Sequence, residues 1–145
     1  MKCVRFFAIL ALALTLAGCK KESSDSQKLF GTSWESNLNT ITETRTEKTR
    51  YTFTFDKGEK CTLRRIWEMR TKMSDPDEST DCHLSGTFSL KGNTIKIVLD
   101  KVADGDYSGD LPMYCNGTMS DDELMLMIDV EGHTLAFMKW EPLSL

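Results

Sequence analysis

From residue 32 to residue 140 the apolar side chains recur at every second position, not at every third or fourth. The stretch YTFTF shows it cleanly: Tyr51, Phe53 and Phe55 point one way and Thr52 and Thr54 the other. A period of two is the mark of a β-strand with one buried face, and aromatic and threonine residues favour that conformation. The DKGE at 56–59 reads as a turn, and a second alternation follows with Cys61, Leu63, Arg65, Trp67 and Met69 in phase. Pro76, within SDPDES (74–79), ends it. Cys82, Leu84, Gly86, Phe88 and Leu90 share the next inward face; KGN (91–93) reads as a hairpin turn, and Ile95, Ile97 and Leu99 continue. Residues 101–112, dense in Gly and Asp, form the longest irregular stretch. Met113, Cys115 and Met119 mark a sixth strand, and Leu124, Leu126, Ile128 and Val130 a seventh, turned by EGH (131–133). The eighth has two phases open to it: Leu135 and Phe137 inward, or Ala136, Met138 and Trp140. Residues 120–123, SDDE, have the form of a helix capping box. The apolar run behind them is too short for a stable helix, so a turn and a strand are expected.

With residues 32–42 as the first, this makes eight strands joined mostly by short turns. An open sheet of eight would leave two unpaired edges, and closure removes both. The expected fold is therefore all-β, an eight-stranded up-and-down antiparallel barrel. A β-sandwich, which needs longer crossing connections, is the alternative.

The N-terminus follows a different rule. Lys2 and Arg5 precede an apolar run from Phe6 to Ala17 broken only by Thr15, and Ala17 and Gly18 precede Cys19. Charge, then apolar run, then small residues is the layout of a secretory signal, and the run is too short for a membrane-spanning helix. Leu16-Ala17-Gly18-Cys19 resembles the lipobox of bacterial lipoproteins, in which cleavage precedes the cysteine and its sulfur and new amino group are acylated. Stable anchoring needs more than one acyl chain, because each buried CH₂ contributes only about 0.8 kcal/mol. The resemblance implies residues 1–18 as a signal peptide, Cys19 as the lipidation site, and a bacterial outer-membrane location with the leaflet open. Residues 19–30 are expected to be a flexible tether, since KKESSDSQK (20–28) has no apolar residue to bury. Residues 31–145 would form the barrel domain. The whole chain carries a net charge of -4, and loss of Lys2 and Arg5 makes the mature chain more acidic still. Attachment would then be by lipid and not by a basic patch, and nucleic acid is not an expected partner.

Gly31-Thr32-Ser33-Trp34 opens the first strand. In calycins, the lipocalin and fatty-acid-binding group, a Gly-x-Trp motif at this place packs its tryptophan across the closed base of the barrel. Here the spacing is one residue longer. Over residues 30–141 the chain resembles the small lipocalin-like lipoproteins of Bacteroides-type bacteria. That resemblance implies structural roles for Gly31 and Trp34, a barrel that holds a small apolar ligand, and no catalytic activity.

An eight-stranded barrel either fills its interior with side chains or holds one small ligand. The candidate lining is Tyr51, Phe53, Phe55, Arg65, Trp67, Met69, Phe88 and Met113, with Met125 or Met127. Arg65 falls in phase with Leu63 and Trp67. An inward arginine must be paired or solvated, and an anionic head group such as a fatty-acid carboxylate would serve. A shift of register that turns Arg64 or Arg65 to water is the other reading.

Beyond Cys19 the mature chain has Cys61, Cys82 and Cys115, so one intramolecular disulfide at most can form. Their separations do not choose the pair. Cys82 and Cys115, both near strand middles, are the candidate bridge. His83 adjoins Cys82 but points to the opposite face, so the two cannot act as a dyad. No Gly-rich phosphate loop, Cys-x-x-Cys or His-Glu-x-x-His occurs. Asp100, Asp104, Asp106 and Asp110 do not match the spacing of a calcium loop. No metal, no cofactor and no enzymatic activity are expected. Two functions compete: a lipid-anchored barrel binding a small hydrophobic molecule, and an interaction or hydrolase-inhibitor protein that meets an envelope or host protein through its loops.

Overall fold

The computed structural model describes residues 24–71 and 78–142. The signal segment 1–18, Cys19 and Pro76 lie outside the described residues. Eight antiparallel strands follow in chain order: β1 (Thr32–Ile41), β2 (Arg45–Asp56), β3 (Lys60–Thr71), β4 (Glu78–Lys91), β5 (Thr94–Asp104), β6 (Met113–Met119), β7 (Met125–Val130) and β8 (His133–Trp140). Each pairs with the next, and β8 returns to β1, closing an up-and-down barrel of lipocalin-like architecture. The seam is short: Ser33, Trp34 and Glu35 face Trp140, Lys139 and Met138.

The alternation seen in the sequence is the wall of this barrel. Tyr51, Phe53 and Phe55 are buried, as are Cys61, Leu63, Leu84, Phe88, Leu90, Ile95, Ile97 and Leu99. The capping-box segment is a turn: Ser120 accepts from Met125 N through Oγ, and Asp122 caps Leu124 N. Of the two phases open to β8, Leu135 and Phe137 are the buried one, so Met138 and Trp140 face out. On β7 the inward residues are Leu126, Ile128 and Val130, so Met125 and Met127, expected as lining, stand on the outer wall. β5 runs on to Asp104, further than its pattern suggested, and its ladder with β4 shifts register twice, between His83 and Leu84 and between Ser85 and Gly86 of β4. At the second of these the strands approach so closely that a Cβ on Gly86 would lie 1.8 Å from the Val98 carbonyl oxygen. Only glycine fits there.

The base of the barrel carries the turns around 57–59, 91–93 and 120–124. The expected tether does not stay free to residue 30. Ser26–Leu29 form a short 3-10 helix across the base, with Ser26 and Leu29 fully buried. Ser26 Oγ donates to Glu59 Oε1 at 2.8 Å and accepts from Leu90 N at 3.0 Å, while Asp25 accepts from Gly92 N at 2.9 Å. Lys28 pairs with Glu123 at 3.2 Å. Polar side chains thus tie three turns together while Leu29 drops into the core. Polarity alone marked this segment as free; it is held by specific hydrogen bonds instead. Gly31 takes φ +73 and donates its N–H to Phe55 O, and Trp34, only 2% exposed, lies in the core with its ring N–H donating to Thr32 Oγ1 at 2.8 Å.

Candidate functional site

Phe53, Phe55, Phe88 and Phe137 form one continuous aromatic stack, with ring centroids 5.9 Å apart for Phe53–Phe55, 4.8 Å for Phe55–Phe88 and 5.2 Å for Phe53–Phe137. Phe30 closes on Phe88 from the base at 6.2 Å. The rings proposed as lining are therefore packed against one another at the closed end. Clefts such as the 230 Å³ one between Thr46, Lys48, Glu68 and Arg70 lie on the outer wall.

The other end differs. β7 and β8 are short, and their connecting turn, Glu131-Gly132, lies level with the middle of β2 and β3. Both turn residues have positive φ, +48 and +81. That is the geometry whose twist suits a two-residue hairpin. It aims the Glu131 side chain inward over the packed core. There its carboxylate accepts from Tyr51 Oη at 2.5 Å and from Arg65 Nε at 3.0 Å, and Tyr107 Oη lies 3.4 Å from its other oxygen. Arg65 and Glu131 side chains are 22% and 24% exposed, so the pair is largely shielded from water.

Arg65 is thus on the inward face, opposite Tyr51 and Cys82 in the ladders. Arg64 points outward and pairs with Asp81 through two hydrogen bonds, of 3.1 and 2.6 Å. The anion that meets Arg65 in the structure belongs to the chain itself. Burial disfavours the Arg65 charge, but the hydrogen bond and the charge of Glu131 outweigh it and leave the guanidinium more firmly protonated than usual. Burial, reinforced by Glu131, pushes the Tyr51 hydroxyl well up, and that of Tyr107 to about 12. All three donors therefore keep their protons at neutral pH.

Around this polar floor stand Trp67 and Met69, two and four residues beyond Arg65 on the same face of β3, both partly exposed. Leu38, Tyr107, Leu111 and Met113 are partly buried and pack against the edge of the core. The stretch 105–112 is therefore not a free loop: Tyr107 and Leu111 fold it across the mouth. No family model and no curated protein sequence matches this chain.

The candidate bridge between Cys82 and Cys115 is not present: Cys61, Cys82 and Cys115 are all free thiols. Cys115 faces Ile97, which faces Phe88, whereas Cys82 is six residues further along β4. At about 3.3 Å per residue that is an offset of about 20 Å along the strand. A disulfide requires Cα atoms within about 7 Å. Burial pushes Cys61 and Cys115 each up to about 12. Among the described residues no group of three or more His, Cys, Asp or Glu side chains could hold a metal ion.

Of the residues singled out in the sequence, Tyr51 and Arg65 meet at Glu131, Trp67 and Met69 follow Arg65 on the same face of β3, and Met113 packs against the core. Phe53, Phe55 and Phe88 lie in the core behind it. Glu131 was missed, although one signal was present. Asn or Asp usually precedes glycine in such a turn, and a glutamate held at positive φ is uncommon and asks for a reason.

Proposed function

We propose that this protein is a lipid-anchored barrel of the bacterial cell envelope, tethered through an acylated Cys19, whose mouth receives a small apolar ligand with a polar head. One observation carries the binding reading. Trp67 and Met69 lie on the inward face of β3, yet they remain partly exposed and outside the packed core. Large apolar side chains on the inward face of the open end and left partly exposed are what a ligand of that character would cover. The floor supplies the polar end. Arg65 holds N–H donors beyond the one given to Glu131, so an anionic or hydroxylated head group would find a partner there, while the tyrosine hydroxyls donate to Glu131. The packed aromatic stack below limits how deep such a ligand reaches, so the bound molecule is short or leaves its tail between Trp67, Met69 and Leu38. The anchoring reading rests on Leu16-Ala17-Gly18-Cys19.

Titrating the mature protein with the fluorescent fatty acid cis-parinaric acid tests the binding reading. Saturable binding is expected, with energy transfer from tryptophan. Trp67→Ala should weaken it roughly tenfold, equivalent to about 1.4 kcal/mol. Equal binding by the variant, or none by the wild type together with no molecule co-purifying in native mass spectrometry, would overturn the reading. Fractionation of cells expressing Cys19→Ser tests the anchor: the protein should leave the membrane fraction and lose its acyl mass.

A further inference from the structure

The outer wall of the barrel is polar over most of its area, but one part of it is not. Met125 and Met138 face each other across the β7–β8 ladder with both side chains outward. Trp140 continues the row toward the base, and Leu124 precedes Met125 in the adjoining turn. Leu124, Met138 and Trp140 are 59%, 56% and 56% exposed. Single exposed apolar residues are ordinary; a contiguous group at one end of a small barrel is not. Met127 and Ala136, paired one step higher on the same wall, extend the strip away from the base.

The position of this strip matters as much as its composition. It lies at the base, and the base is where the chain enters. Asp25 is bonded to Gly92, Ser26 to Glu59 and Leu90, and Lys28 to Glu123, one residue from Leu124. Six residue steps separate Asp25 from Cys19, a reach of at most about 22 Å. A membrane holding Cys19 is therefore always within that distance of the end that carries the strip.

We infer that the base-proximal outer face of β7–β8, formed by Leu124, Met125, Met138 and Trp140, docks on the lipid bilayer. The inference rests on the anchoring reading above, because only a tether at Cys19 makes the bilayer the persistent neighbour of this end. A tryptophan beside aliphatic side chains is suited to the headgroup boundary, where its ring is partly apolar and its N–H stays wet. Met125 and Met138 belong to strands already paired with each other from Met125 to Val130, so the strip is met by side-chain contact. Docking would hold the barrel base-down, with the mouth formed by Trp67, Met69 and the Arg65–Glu131 pair directed away from the membrane.

The test uses the acylated full-length mature protein in phosphatidylethanolamine vesicles containing phosphatidylglycerol, with and without brominated acyl chains. Trp34 is buried and Trp67 is at the far end, so quenching by bromine reports on Trp140. The expected result is a blue shift and marked quenching in the wild type that Trp140→Phe abolishes, and a loss of both shift and quenching from the remaining strip in Leu124→Asp. Acylated protein that floats with the vesicles but shows no quenching of Trp140 would overturn docking and leave the anchor standing. Protein without acyl mass, or Cys19→Ser that floats as well as the wild type, would overturn the anchor and this inference with it. A vesicle-free dimer that Leu124→Asp dissociates would assign the strip to a second copy of the chain and equally overturn docking on lipid.

Discussion

Glu131 works against its own backbone. At φ +48 a residue with a Cβ is strained by about 1–2 kcal/mol, and the hydrogen bonds its carboxylate receives from Tyr51 and Arg65 offset that cost. Two substitutions separate these effects. Glu131→Ala keeps the strain, removes the counter-charge of a shielded guanidinium and leaves the buried Tyr51 hydroxyl without its acceptor, so it should cost about 3 kcal/mol in urea unfolding. Glu131→Gly loses the same bonds but relieves the backbone, and should cost about 1 kcal/mol less. Equal losses would mean that the turn is not strained. The thiols give a second prediction at this scale. Burial raises Cys61 and Cys115 from the ordinary 9.0 to about 12. Their protonated form is the one the folded state favours, so the stability they contribute is complete below about pH 9 and is lost as pH climbs toward 12. Each thiol takes away about 1.4 kcal/mol per pH unit in that window. Urea midpoints should fall steeply above about pH 9 in the wild type and less steeply in Cys61→Ala and Cys115→Ala. At neutral pH none of the barrel thiols should react with a disulfide reagent until the protein is unfolded. The inward phase of all three cysteines could be read from alternation, but their heights in the barrel could not, because strand level depends on the register of every ladder between them.

Among the elements, the 3-10 turn at Ser26–Leu29 departs furthest from its sequence. KKESSDSQK contains nothing that a hydrophobic pattern would register, yet Ser26 within it is fully buried and bonds to both Glu59 and Leu90. The signal that it folds is Leu29 just beyond, one apolar residue with no period to place it. Leu29→Ala should destabilise the barrel by about 2–5 kcal/mol, as for other buried leucines. Ser26→Ala should cost about 1–3 kcal/mol, because it removes both the hydrogen bond to Glu59 and the one from Leu90 N. Both are measured by thermal or urea unfolding; values near zero would show that this turn rests on the base without closing it. The strands themselves were legible. Their inward sets on β2, β3 and β4 follow directly from alternation, since each wall residue has only two faces to choose between. β8 was ambiguous because apolar residues occupy both phases, Leu135 and Phe137 on one and Met138 and Trp140 on the other. Burial inside the barrel chose the first and left the second as the outer strip.

At the scale of the molecule, cohesion is uneven. β2 and β3 share twelve partner pairs, whereas β6–β7 and the β8–β1 seam share three each. Opening should begin where ladders are shortest. Hydrogen exchange of the native protein should therefore release amides of β6–β8 and the seam first, and those of β2, β3 and the adjoining half of β4 last. Uniform protection around the barrel would contradict this order. The same unevenness shapes the mouth. The long strands rise past the short β7–β8 hairpin, so its turn can place Glu131 over the core while Trp67 and Met69 stand above it on the taller wall.

By itself the sequence determined that this is an all-β domain of eight strands, which face of most strands is buried, and that Arg65 lies in phase with the core. These are local facts, because a period of two is written into consecutive residues and closure follows from the need to remove exposed edges. Only the tertiary structure decided that the aromatic rings fill the base, that Arg65 meets Glu131, that Cys82 and Cys115 stand at different heights, and that Leu29 plugs the closed end. Each of those depends on how far one strand slides past another, or on where a turn aims one side chain. Such quantities are set by contacts between residues distant in the chain, and no local pattern records them.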